Sequence, residues 1–251
     1  MRFREFKYIY DNLNRPGDIK HLAKDLGLEE EMLNVIYTQK TVRDTKKSFH
    51  RVKRIAPKML KEWKGGWSIM EIADRYDFPP MLTGLFIFQE RGFSKKQFWK
   101  NVREPDTIRD ERTRKEIEEI AAADHVYSPW ASDLQYKRGA WGEALLEDWL
   151  DGQGISYRTE KDLRGEFPKT PDCLLDEPIE LNGWKLHWIE SKATFGDHIE
   201  VKYNVKNQLV PYTELFGTGM VIYWFGFLDT IETPEGVEIS DMSVLNMKCN
   251  K

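Results

Sequence analysis

Glu190 and Lys192 stand two residues apart at the end of a stretch in which Trp184, Leu186 and Trp188 share their parity. Residues two apart in an extended strand point to one face. The stripe therefore turns from apolar to charged where the strand leaves its core. A carboxylate and an ammonium emerging together are costly to bury without partners. Asp172, directly after Pro171, can supply one carboxylate, and Glu143, further upstream, another. Carboxylates gathered beside a lysine form the donor set of metal-assisted phosphodiester cleavage. Hard cations such as Mg²⁺ or Mn²⁺ take oxygen ligands, usually one or two carboxylates completed by water and phosphate. The cation lowers the pKa of a bound water and offsets charge at phosphorus, and a neighbouring lysine orients or deprotonates that water. On this reading Glu143, Asp172, Glu190 and the backbone carbonyl of Ser191 are candidate metal ligands, and Lys192 is the water-activating group. Plainer readings stand beside it. Asp172 suits a turn, Glu190 and Lys192 a surface ion pair, and Glu143 a solvated helix face.

The elements that must position these residues follow from periodicity. Leu134 to Leu150 has a helical apolar period and carries Glu143, with Glu147 one turn later as its rival. Asp151-Gly152-Gln153-Gly154 ends that helix. Short strands are expected over Ile155–Thr159 and from Asp172. Ile179–Leu181 and Trp184–Ala193 flank Asn182-Gly183, a strong hairpin signal. Val201–Phe216 reads as a helix bent by Pro211, and Gln208 and Tyr212 share one of its faces. Gly219–Phe227 reads as a strand buried on both faces, and Val237–Leu245 as a last strand. This order predicts an α/β arrangement with a mixed central sheet.

The first half reads as helices. Asp18 is the expected cap of a helix stopped by Gly27, and a second helix carries Met32, Leu33 and Ile36. The pattern recurs from Ser68, with Asp77-Phe78-Pro79-Pro80 as the turn and Pro80 as the restart. Both resemble helix-turn-helix units. Thr107–Ala123 reads as a solvated helix and linker. Trp63 and Trp67 are candidates for stacking on bases.

The formal net charge of −4 hides an asymmetry: residues 1–130 hold 26 Lys and Arg against 21 Asp and Glu, the remainder 12 against 21. Lys40 to Lys64 holds ten bases and only two acids. Lys40, Arg43, Lys46, Lys47, Arg51, Lys53 and Arg54 are the candidate nucleic-acid contacts, a polyanion-binding module joined to a cation-holding one. A solvated helix face is the alternative.

Composition excludes other classes. With 40% apolar residues and 13% aromatics the chain is no disordered polymer. Its longest apolar run, from Met220, is far short of the roughly 20 residues a membrane span needs. The N-terminus has no apolar core after its charges, so no signal peptide is expected. Two cysteines staple nothing at this size, and no Cys-x-x-Cys spacing offers a zinc site. A soluble chain of the cytoplasm, or of a eukaryotic nucleus, is expected rather than a secreted one.

Pro171-Asp172 followed by Glu190-Ser191-Lys192 resembles the motif of the PD-(D/E)xK nuclease superfamily. Glu143 looks like its first, helical acid. Gln208-Leu209-Val210-Pro211-Tyr212 looks like the Gln-x-x-x-Tyr element of the branch that includes archaeal Holliday-junction resolvases, and an archaeal-type homologue is expected. Lys169-Thr170-Pro171-Asp172, His187 to Asp197 and Gly219 to Phe227 resemble the family marked by a Thr-Pro-Asp motif, whose animal member is named for a protein partner. The resemblance implies a helix-turn-helix-like domain over 1–125, then a restriction-endonuclease-like domain over 126–251. It implies a Mg²⁺- or Mn²⁺-dependent nuclease acting on nucleic acid, DNA in preference to RNA, with Gln208 in the catalytic set. It favours Glu143 over Glu147. The rival function is a non-catalytic nucleic-acid-binding adaptor that keeps the nuclease fold as a scaffold.

Overall fold

The structure, a computed structural model, describes residues 1–249. Its first half is helical: α1 (Phe3–Asn12), α2 (Pro16–Leu26), α3 (Glu30–Arg54), α4 (Ala56–Lys64), α5 (Ile69–Tyr76), α6 (Pro80–Glu90), α7 (Lys95–Arg103) and α8 (Glu111–Ala123). Local chemistry sets the ends. Ser68 caps α5 reciprocally, its hydroxyl accepting from the Glu71 N–H while the Glu71 carboxylate accepts from the Ser68 N–H at 2.7 Å. Asp77 takes the left-handed turn at φ 47°, and α6 restarts at Pro80 as the sequence predicts. Asp18 is not the cap expected of it. Pro16 opens α2 because proline suits a first helical turn, and the Asp18 carboxylate accepts from the Asn14 and Arg15 N–H groups at 2.8 and 2.7 Å.

The chain divides into two compact units: residues 38–136, and residues 1–37 together with 137–251. This differs from a division at 125/126. The first 37 residues belong with the sheet, because Phe6, Ile9, Leu13 and Leu33 share one core with Phe195 and Leu228. The rings of Phe6 and Phe195 stack at 5.3 Å.

The 38–136 unit is built around α6, buried from Met81 to Phe88 among Val52, Met59, Ile72, Phe98 and Ile120. Ile117 and Ile120 place α8 in that core, so this segment is a packed helix rather than a linker. Trp63 is buried too, its indole N–H donating to Glu116 Oε2 at 2.7 Å between the Arg91 and Arg112 guanidiniums. That removes it as a base-stacking platform. Trp67 stays exposed with Arg75 over its ring.

The other unit holds α9 (Pro129–Gly152, from Lys137 onward) and a five-stranded sheet. Its strands are β1 (Tyr157–Thr159), β2 (Cys173–Leu181), β3 (Trp184–Lys192), β4 (Gly219–Tyr223) and β5 (Val237–Ser240), in that spatial order. A single helical turn, α10 (Glu160–Leu163), follows β1. The first two pairings are antiparallel and the last two parallel, a mixed sheet as expected. Asn182 and Gly183, at φ 51° and 81°, make the two-residue turn between β2 and β3. The two final strands are shorter than the apolar runs suggest. Gly226, at φ 84°, turns the chain after β4, and Asp241 caps a 3-10 turn after β5 by accepting from Ser243 N–H.

Period-two alternation sorts the sheet's faces. Cys173, Leu175, Ile189, Met220, Ile222 and Trp224 face Leu146, Trp149 and Leu150 of α9. Leu174, Trp188, Val221 and Tyr223 face Val201, Leu209 and Tyr212 of the last helical segment. That segment is α11 (His198–Asn204), a π turn over Val205–Leu209, and α12 (Val210–Phe216). Pro211 disturbs it as predicted. Lacking an N–H, it cannot donate to the Asn207 carbonyl four residues back, which accepts the Lys169 ammonium at 2.7 Å. Among the described residues no helix is long and apolar enough to cross a membrane, and both cysteines are free.

Candidate active site

The end of β3 runs one step past the start of β2, and the chemistry collects there. Cys173 pairs with Ile189, so Glu190, Ser191 and Lys192 extend beyond the ladder with β2. The residue before β2, Asp172, occupies that step. Its N–H donates to Glu190 Oε2 at 3.1 Å, and Ser191 N–H donates to Asp172 Oδ2 at 2.8 Å. A residue in a strand presents its N–H and C=O to the same neighbour. The Ser191 carbonyl is therefore turned towards Asp172 as well.

Glu190 and Lys192 lie on one face, as their parity predicts, and the Lys192 ammonium is bonded to Glu190 Oε1. Glu190 is only 2% exposed, so this is no surface ion pair. Gln208, in the π turn, donates from Nε2 to Glu190 Oε1 at 3.2 Å and lies 3.4 Å from the Tyr212 hydroxyl. Tyr212 is buried edge-on against Trp188. The structure thus brings Asp172, Glu190, Ser191, Lys192 and Gln208 into one hydrogen-bonded group.

Glu143 comes to Asp172 from the α9 side of the sheet. It and Glu147, on α9, line a cleft with Asp172, Cys173, Glu160 and Lys161. Glu143 is felt at the Asp172 carboxyl, whereas Glu147 is felt at Cys173 and Tyr157. Both acids thus stand on the cleft wall one turn apart on α9. Sequence reasoning missed Glu160 and Lys161. The Thr159-to-Asp162 capping box was their only local signal, marking a helical turn straight after a strand.

Burial, with Glu190 beside it, pushes the Asp172 carboxyl up to about 8, against the pull of Lys192 and the Ser191 N–H. Burial raises Glu190 as well, opposed chiefly by the Lys192 ammonium. Two acids crowded into one poorly solvated step resist ionising together. A divalent cation would relieve that repulsion, so the donor set suits one. Among the described residues no three carboxylate, imidazole or thiol groups are gathered closely enough to hold a metal unaided. The fit is therefore to a cation held by few protein oxygens, with water or phosphate completing its shell, as Mg²⁺ commonly is.

The basic residues belong to the other unit. Lys40, Arg43, Lys47, Arg51 and Arg54 follow one another at helical spacing along α3, with Lys46 and Lys53 beside them. Lys46, Lys47, Arg51, Lys53 and Arg54 are exposed, while Lys40 and Arg43 are half-buried. Lys47 pairs with Asp44 at 2.9 Å. Two polar residues after and within β3 do structural work: Asp197 caps α11 through the Ile199 and Glu200 N–H groups, and the His187 ring bonds Thr218.

Residues 109–243 match the family model described as "Protein of unknown function TPD sequence-motif". CDAN1-interacting nuclease 1 of Danio rerio is 35% identical over 172 residues, 65% of this chain and 57% of that protein. The Homo sapiens protein of that name is 31% identical over 172 residues, covering 65% of this chain and 61% of its own length. In Gallus gallus the figures are 28% over 173 residues, 65% and 59%. The chain thus matches less than two thirds of the length of these curated relatives. No solved structure matches.

Proposed function

The chain belongs to the TPD sequence-motif family, and from that premise we propose that it is a divalent-metal-dependent nuclease of the PD-(D/E)xK type. Its substrate is nucleic acid, DNA in preference to RNA. The observation that carries this reading is the exchange at the strand step, where Asp172 N–H bonds Glu190 and Ser191 N–H bonds Asp172 beside the Glu190–Lys192 pair. The names of the relatives just described agree with it.

In this reading the carboxylates of Asp172 and Glu190 would hold Mg²⁺ or Mn²⁺ with water or phosphate completing its shell, and Glu143 from α9 and the Ser191 carbonyl are the further candidate ligands. The cation supplies Lewis acidity at phosphorus and a more acidic water. Lys192 orients the attacking water and stabilises negative charge developing on the phosphate. Gln208 donates to Glu190 Oε1, the oxygen that Lys192 also holds, while Asp172 N–H holds Oε2, so the carboxylate stays anchored when Lys192 turns to the water. The bases of α3 grip the phosphate backbone, so affinity falls with salt as counterions are no longer released to advantage. Helix-turn-helix character of α2–α3 and α5–α6 belongs to the same proposal. A protein partner belongs to it too, by analogy with relatives named for interaction with CDAN1.

The test is cleavage of plasmid and oligonucleotide substrates with Mg²⁺ and Mn²⁺, beside Asp172→Ala and Lys192→Ala. Metal-dependent cleavage lost in both variants supports the mechanism. Cleavage that survives both removes it. Nucleic-acid binding with no cleavage under either metal transfers the function to a binding adaptor.

A further inference from the structure

Ser191 stands between the two charged residues of β3, and its side chain leaves on the opposite face from theirs. There the buried indole of Trp224 donates from Nε1 to Ser191 Oγ at 2.7 Å. The same indole is the surface on which α9 sits. A Cβ on Gly142 would fall 2.6 Å from Trp224 Cδ1 and Nε1 and 3.1 Å from Ser191 Oγ. No side chain fits between helix and ring, so α9 meets them through bare backbone. The neighbouring Trp141 closes the seat, edge-on to Trp224 at 6.1 Å and tilted on Phe225 at 5.8 Å. The next residue along α9 is Glu143, which lines the cleft with Asp172.

One side chain therefore governs two sides of the cleft. Through its N–H, Trp224 fixes the rotamer of Ser191, whose main chain holds Asp172 Oδ2. Through its ring face it sets how near α9 comes, and with it Glu143. We infer that Trp224 is a positioning residue for the metal-binding edge, acting through Ser191 and Gly142. This inference rests on the nuclease reading above. A residue that only filled the core would affect folding stability, whereas this one is tied by a polar bond to the side chain of the residue whose N–H holds Asp172. Partners that orient metal ligands at one remove typically govern metal affinity by about tenfold or more.

The experiment measures Mn²⁺ binding to the full chain by calorimetry, with thermal unfolding of the chelator-treated protein alongside. Trp224→Phe keeps an aromatic side chain but removes the indole N–H together with the five-membered ring, and Ser191→Ala removes only the hydroxyl oxygen, which is no candidate ligand. Each is expected to weaken Mn²⁺ binding about tenfold. The double variant is expected to weaken it no further, because both substitutions delete one bond. If Trp224→Phe does not fold, Ser191→Ala decides alone. Asp172→Asn separates the two levels of the argument. If Asp172→Asn loses Mn²⁺ while Trp224→Phe and Ser191→Ala bind it as the unaltered protein does, the positioning role is overturned and the nuclease reading stands. If the unaltered protein binds no Mn²⁺, or Asp172→Asn binds it equally well, the metal reading itself falls.

Discussion

Asp172 and Glu190 are joined through backbone as well as through charge: the Asp172 N–H holds the Glu190 carboxylate at 3.1 Å, and the N–H following Glu190 holds the Asp172 carboxylate at 2.8 Å. Glu190 cannot swing out without losing the Asp172 N–H, nor Asp172 without losing the N–H of the residue that follows Glu190. The two like charges are kept together at the sheet's edge, and each of the following expectations depends on how that crowding is relieved.

The metal-free protein loses stability as pH rises. Asp172 titrates at about 8 when folded and near 3.8 when not. Below pH 4 both states hold the proton. Between about 4 and 8 the unfolded chain releases it while the folded chain keeps it, so unfolding gains. Glu190, also raised, acts in the same direction. Asp172→Asn is expected to flatten this slope and to raise the melting temperature near pH 8 by about 2–4 °C for each ~1 kcal/mol recovered. Melting in chelator across that range checks it. An unchanged slope contradicts the crowding.

Removing Lys192 strands Glu190. Their side chains are 16% and 3% exposed, so the carboxylate has little water to replace the ammonium. Lys192→Ala is expected to cost about 3 kcal/mol at neutral pH, the usual result of breaking a buried pair from one side. Glu190→Gln in the same chain should restore much of that, since no charge is then buried. Urea unfolding of the two variants measures the difference.

Gly142 and Gly139 give a matched pair on α9. Alanine at 142 meets the Trp224 indole at 2.6 Å, whereas alanine at 139 meets nothing within 4 Å. Gly142→Ala is expected to destabilise by about 1–3 kcal/mol through overpacking. Gly139→Ala should stabilise by up to about 1 kcal/mol, because alanine is the better helix former. Thermal denaturation of both tests whether α9 is seated on the ring.

The exposed bases of α3 should bind without reading sequence. Arg51→Ala, Lys53→Ala and Arg54→Ala are each expected to weaken DNA binding by a similar factor for unrelated oligonucleotides. Each should also lower the salt slope by about 1 where the residue meets a phosphate. Fluorescence anisotropy at several salt concentrations reads both. Unchanged slopes would reduce this stripe to a solvated face.

Much of the site was legible because strand parity is strict. Glu190 and Lys192 had to share a face, Gln208 and Tyr212 had to share another, and Asn182-Gly183 had to turn the chain between β2 and β3. Glu160 and Lys161 were not legible, since a single helical turn after a short strand has too little period to show. The linker reading of α8 failed because charges dominate its sequence, while Ile117 and Ile120, with buried Thr113 and Glu116, carry it into the core.

By itself the sequence determined the elements, their order and which residues each presents together, because those follow from backbone period, capping and turn chemistry within a few residues. Only the tertiary structure decided how far β3 overruns β2, that α9 brings Glu143 and Glu147 to a cleft with Asp172, and that the first 37 residues pack with the sheet. Those depend on the register between strands, the approach of a helix to one indole ring, and burial shared by segments far apart in the chain. No local pattern encodes any of the three.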